Sequence, residues 1–160
     1  MKGFSCYSLI AGSFLLAVPL SVSAASTTTT FNSTITINAS CTVSASNVAF
    51  GSVSATATNV DSTGGLTVRC TSGTSYTVSL GQGSNFSTTR RMADGNSNFV
   101  AYELYRDSAR TQTWGANSGV DTLASTGTGA DQSITIYGRV PSANQAAGSY
   151  TDAVLVTVTW

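Results

Sequence analysis

Side chains able to do chemistry are few and poorly matched to one another. The 160-residue chain contains no histidine. That removes the usual general base, the Ser-His and Cys-His nucleophile pairs and most zinc sites. Glu103, Asp107 and Asp152 could be imagined as catalytic carboxylates, yet acids near Arg106 and Arg110 in turn-like sequence read as solvated ion pairs. Tyr102, Tyr105 and Trp114 could stack a sugar ring, but on a sheet such residues are more often core and corner side chains. Asn32-Ser33-Thr34 and Asn85-Phe86-Ser87 fit the glycosylation pattern, a match with little weight of its own. No catalytic residue, metal or cofactor is assigned, and the chain reads as a non-enzyme. What remains is the chemistry of Cys41 and Cys70.

Composition points the same way. Seven basic residues against seven acidic ones leave no net field for nucleic acid. Ser and Thr supply 25 residues each, while charged residues make up 9%, far below the roughly 25% of ordinary soluble domains. Apolar residues at 41%, with Val, Ile, Tyr and Phe at regular intervals, are too many for a disordered chain. The length suits one folded domain.

Met1-Lys2 precedes a short apolar stretch from Leu9 to Leu20, followed by Val22-Ser23-Ala24. A basic start, an apolar run and small residues at the cut read as a secretory signal peptide over residues 1–24, with cleavage after Ala24 and Ala25 as second choice. The run is shorter than the roughly 18 residues a membrane span needs. Cys6 lies before the apolar core and leaves with the signal. So does Lys2, the only lysine. Cys41 and Cys70 then remain in a chain bound for an oxidising compartment, where a disulfide is the default.

The elements that hold these residues are strands. Phe31, Ser33, Ile35, Ile37 and Ala39 alternate with polar residues, the period of a half-buried strand. Asn47–Val53 is a short strand broken by glycine, Asp61–Gly65 carries turn residues, and Leu66–Cys70 resumes the alternation. Ser75–Leu80, Phe99–Tyr105, Ser133–Val140 and Tyr150–Trp160 read as strands, the last as the longest. Residues 90–97 and 116–131 read as loops. No segment shows an apolar 3.6-residue period. The expected fold is all-β, an antiparallel sandwich of immunoglobulin type.

Its two ends do not match. The sequence stops at Trp160 inside an apolar strand with nothing left to lie beside it, while the alternating segment around Phe31 is a strand too many. A sandwich missing one strand exposes an apolar groove and unpaired backbone groups, which aggregate unless another chain supplies the strand.

Val48-Ala49-Phe50-Gly51, the block Ala101-Tyr102-Glu103-Leu104-Tyr105-Arg106-Asp107-Ser108-Ala109-Arg110 with Trp114-Gly115 behind it, and Tyr137-Gly138-Arg139-Val140-Pro141 with Ala147-Gly148-Ser149-Tyr150-Thr151-Asp152 resemble the spore coat protein U domain family. The match runs nearly end to end through residues 25–160. That family includes subunits of archaic chaperone-usher pili. The resemblance implies an incomplete sandwich over residues 40–160, lacking its final strand, and a donor extension over residues 25–39. Phe31, Ile35 and Ile37 would fill a neighbour's groove, with the small polar Ser33 on the same face. Val154, Val156, Val158 and Trp160 would form one groove wall, and Cys41 and Cys70 match the family's disulfide. Implied partners are related pilin subunits, a periplasmic chaperone and an outer-membrane usher. Neither nucleic acid nor a small-molecule cofactor is implied. The resulting expectation is a surface fibre serving adhesion and biofilm formation. The alternative is a stand-alone secreted coat or binding module whose leading strand completes its own sandwich.

Overall fold

The structure, a computed structural model, describes residues 22–160, so the signal expected over residues 1–24 lies outside the described residues up to position 21. The chain divides into two units, Met1–Thr36 and Ile37–Trp160. In the first, residues 22–36 form neither helix nor strand, and every one is exposed. The alternation from Phe31 to Ala39 therefore makes no half-buried strand. An apolar face becomes a strand by packing on something, and here Phe31 is 90% exposed, Ile35 85% and Ile37 78%.

The second unit is an all-β antiparallel sandwich, as expected. Its strands are β1 (Cys41–Ser46), β2 (Thr58–Cys70), β3 (Ser75–Leu80), β4 (Arg90–Ala93), β5 (Phe99–Tyr105), β6 (Leu123–Thr126), β7 (Gln132–Ser142) and β8 (Val156–Thr159). Five form one sheet in the order β1-β2-β7-β5-β4, and three form another in the order β6-β3-β8. Period-two alternation turns Leu66 and Val68 of β2, Tyr102 and Leu104 of β5, Ile136 of β7, and Val78 and Leu80 of β3 into one core. Each fully buried aliphatic side chain contributes about 1.5–3 kcal/mol.

Several segments depart from the sequence reading. Asp61–Gly65 is no turn but the middle of β2, paired with β7 through Asp61↔Arg139 and Gly64↔Ile136. The glycines there provide space: a Cβ on Gly64 would stand 2.7 Å from Val48 Cγ2. Pro141 lies inside β7, opposite Asn59, where the ladder skips a pair and Asn59 takes φ 50°. A missing proline N–H is tolerated at such an irregularity. Residues 90–93 form β4 because Arg90, only 5% exposed, is fully used inside. Its guanidinium donates to the carbonyls of Gly81 (2.7 Å), Leu80 (3.0 Å) and Trp114 (2.8 Å). The final strand covers only Val156–Thr159, and β2 is the longest.

Cys41 and Cys70 face each other across β1 and β2 and are disulfide-bonded. Closing a loop of 29 residues restricts the unfolded chain by about 3–4 kcal/mol in the chain-entropy account.

Candidate functional site

Among the described residues the two sheets end in four edge strands, β1 and β4 in one and β6 and β8 in the other; two of these edges, the side of β1 away from β2 and the side of β8 away from β3, lie on the same side of the sandwich without pairing to each other. Between them the sandwich is open. A cleft of about 360 Å³ has Ala45–Phe50 on one side and Tyr150–Asp152, Val154 and Val156 on the other. Its floor is the core itself, since Leu80, Tyr102, Leu104 and Ile136 all reach it. It continues past Val48, Phe50, Met92 and Tyr150 into a wider cavity of about 600 Å³, bounded by the small residues of 51–55 and 143–149. Apolar floor between two unpaired backbone edges is the chemistry that takes up an extended chain.

The Val48–Phe50 side is an arm without strand pairing, laid over glycines. Val48 sits above Gly64, and both Val48 and Phe50 sit above Gly138, where a Cβ would stand 2.7 Å from Val48 Cγ1 and 2.9 Å from Phe50 Cζ. Phe50 also meets Tyr102 edge to face at 6.3 Å between centroids. On the opposite side Thr151 exchanges backbone bonds with Ala93, and the carbonyls of Ala153 and Leu155 accept from the N–H groups of Ser84 and Gly81, so the bonded residues of this segment are all odd-numbered. Strand alternation therefore directs the backbone groups of Asp152 and Val154 to the open edge.

The carboxylates take roles that the sequence did not reveal. Glu103 pairs with Arg90 at 3.4 Å and not with its sequence neighbours. Asp107 accepts from the N–H groups of Thr111 and Gln112 and shapes its own loop, which holds its carboxyl below the usual range. Asp152 accepts from Ser84 N (2.9 Å), Asn85 N (3.2 Å), Asn85 Nδ2 (3.1 Å) and the Tyr102 hydroxyl (2.7 Å). Burial, reinforced by that bond to Asp152, pushes the Tyr102 hydroxyl well above the ordinary tyrosine range. Trp114 is fully buried and donates its indole N–H to the Val78 carbonyl at 3.0 Å, so it offers no stacking platform.

Of the residues expected to line a groove, Val154 and Val156 do so. Val158 packs on the core and pairs with Val78, outside the cleft lining, and Trp160 is 56% exposed. Val48, Phe50, Met92 and Tyr150 were missed as groove residues. The signal for the arm was Gly138 within a strand and Gly64, which in the sequence reads as a turn residue, since glycines inside strands mark close approach of another segment.

The family model for the Spore Coat Protein U domain matches residues 27–157. Protein U of Myxococcus xanthus is 35% identical over 116 residues, covering 67% of this chain and 64% of that protein. Among solved structures, the fold resembles a chain in the CsuC-CsuE chaperone-tip adhesion subunit pre-assembly complex from the archaic chaperone-usher Csu pili of Acinetobacter baumannii. That likeness has a TM-score of 0.61 at 23% identity and covers 78% of this chain and 41% of the other. The chain thus spans under two thirds of the length of each of these relatives, and the structural likeness is one of fold.

Proposed function

This chain belongs to the Spore Coat Protein U domain family, and from that premise we propose that it is an exported structural subunit that polymerises by donating its amino-terminal strand to the next copy. The observation that carries this reading is the open cleft, apolar at its floor and bounded by the Ala45–Phe50 arm and the Tyr150–Val156 segment, each running into an edge strand. Beside it stands the period-two row Phe31, Ile35 and Ile37, exposed and without a face of its own to cover. Donor and acceptor on one chain make a heterologous contact that does not close, which yields a fibre. Residues 25–39 act as donor. Val154 and Val156 act as acceptor wall, with Val158 farther along β8 and Trp160 just beyond its end. A signal over residues 1–24 directs the chain through the periplasm, where a chaperone covers the cleft until an outer-membrane usher exchanges it for a donor. The fibre stands on the cell surface and serves adhesion and biofilm formation.

The deciding experiment adds a peptide copying Ser26–Ala39 to the exported chain. Its melting temperature rises with the logarithm of excess peptide if the cleft takes the strand. A stable monomer indifferent to the peptide would instead be a self-completed coat module, the reading that the family's spore coat name favours.

A further inference from the structure

The cleft wall from Thr151 to Leu155 lies outside β8, and its backbone is held on one edge by the backbones of Gly81, Ser84 and Ala93 and by the Asn85 amide. Nothing among the described residues holds its other edge. Such a segment would not keep a strand geometry in water through those bonds alone, because exposed backbone bonds at an edge open at little cost. The carboxylate of Asp152 supplies the missing constraint. One oxygen, Oδ1, gathers the two successive N–H groups of Ser84 and Asn85 and the Asn85 amide, while Oδ2 takes the Tyr102 hydroxyl from the floor. Gly83, at φ 86°, makes room, since a Cβ there would overlap this carboxylate. One side chain thus ties the wall both to the neighbouring loop and to the core.

We infer that Asp152 is the positioning residue of the accepting wall, holding the Thr151–Leu155 backbone in the geometry that an incoming strand reads before that strand arrives. The inference rests on the strand-donation reading and names the group that pre-forms its site. Pre-forming a segment raises affinity by removing ordering that would otherwise be required on binding.

The test uses the full chain carrying Ile35→Asp, which removes self-donation, and a fluorescent peptide copying Ser26–Ala39. Asp152→Ala weakens peptide binding roughly tenfold or more, in keeping with the loss of charge-assisted hydrogen bonds, and lowers the melting temperature more in the peptide-filled chain than in the empty one, because the lost binding adds to the loss of the empty chain. Tyr102→Phe removes one of the four bonds and gives a smaller loss in the same direction; it decides the question should Asp152→Ala not fold. Asp152→Asn, whose amide oxygen still accepts from Ser84 and Asn85, retains most of the affinity. Equal affinity in the parent, Asp152→Ala and Tyr102→Phe, or an equal melting loss in the empty and filled states, overturns the positioning role and leaves strand donation standing. A parent that takes up no peptide overturns both.

Discussion

Gly138 and Phe50 approach so closely that a Cβ on the glycine would stand 2.9 Å from the ring's Cζ, and 2.7 Å from Val48 Cγ1 beside it. Space, not backbone freedom, explains this glycine. Gly138→Ala must therefore lift the Val48–Phe50 arm, and with it one side of the cleft. The expected cost is about 1–3 kcal/mol, the range for overpacking. Urea denaturation reads that loss, and titration with the Ser26–Ala39 peptide reads a lower affinity. An unchanged affinity would mean that the arm is no part of the accepting surface.

Arg90 gives a sharper contrast. Its guanidinium satisfies three carbonyls, those of Leu80 at the end of β3, Gly81 after it and Trp114, and also meets Glu103 at 3.4 Å. Arg90→Leu leaves those carbonyls without partners and should cost about 3 kcal/mol or more. Glu103→Gln, which removes only a partly exposed ion pair, should cost under about 1 kcal/mol. Comparable losses in the two variants would show the ion pair, and not the carbonyl bonds, to be the important contact.

How far such features were legible in the sequence depended on whether packing or pattern decided them. Phe99–Tyr105 and Ser75–Leu80 alternate cleanly, each burying one face, and both are strands where the alternation places them. Asp61–Gly65 read as a turn because composition there is set by the arm crossing over it, which local pattern cannot reveal. Arg90 looked like a loop residue since a buried arginine is identified by its carbonyl partners, which lie 9 to 24 positions away. Val154 and Val156 were legible as a wall from one strand's alternation, whereas the opposing wall required knowing which segment lies across the gap.

The disulfide is directly measurable. Mass before and after reduction should differ by the two hydrogens of one bond, joining Cys41 to Cys70. A Cys41→Ser, Cys70→Ser double variant should lose about 2–4 kcal/mol in denaturant. Two free thiols in protein recovered from an oxidising compartment would contradict the bond.

Stability should depend on pH at the extremes and little between them. Hydrogen bonds hold the carboxyls of Asp61 (from Arg139), Asp94 (from Asn98) and Asp107 (from Gln112) below the ordinary value of 3.8. A folded pKa below the unfolded one gives stability that is fully present above about pH 3.8 and lost as pH falls through the folded values. Tyr102 is shifted the other way, mainly by burial, so its contribution is present below its unfolded value of 10.0 and lost as pH rises beyond it. With no histidine to titrate, the melting temperature should stay nearly flat from about pH 5 to 8. A step near pH 6.5 would be incompatible with this set of groups.

Folding and assembly should separate in a pair of charge substitutions, because they use different parts of the chain. Ile35 is 85% exposed, so an aspartate there meets only water in the single subunit and costs folding almost nothing. In a polymer the same side chain enters a neighbour's apolar cleft, where an unpaired charge is expensive. Val156 stands on the other side of that contact. It pairs with Leu80, packs on the core and lines the cleft, so Val156→Asp burdens the subunit itself by about 3 kcal/mol or more. Ile35→Asp should therefore leave periplasmic protein and chaperone co-purification near the parent level while fibres vanish from the cell surface in electron micrographs. Val156→Asp should deplete the soluble protein as well. If Ile35→Asp lowers the soluble protein as far as Val156→Asp does, the leading segment completes its own sandwich and no strand is donated.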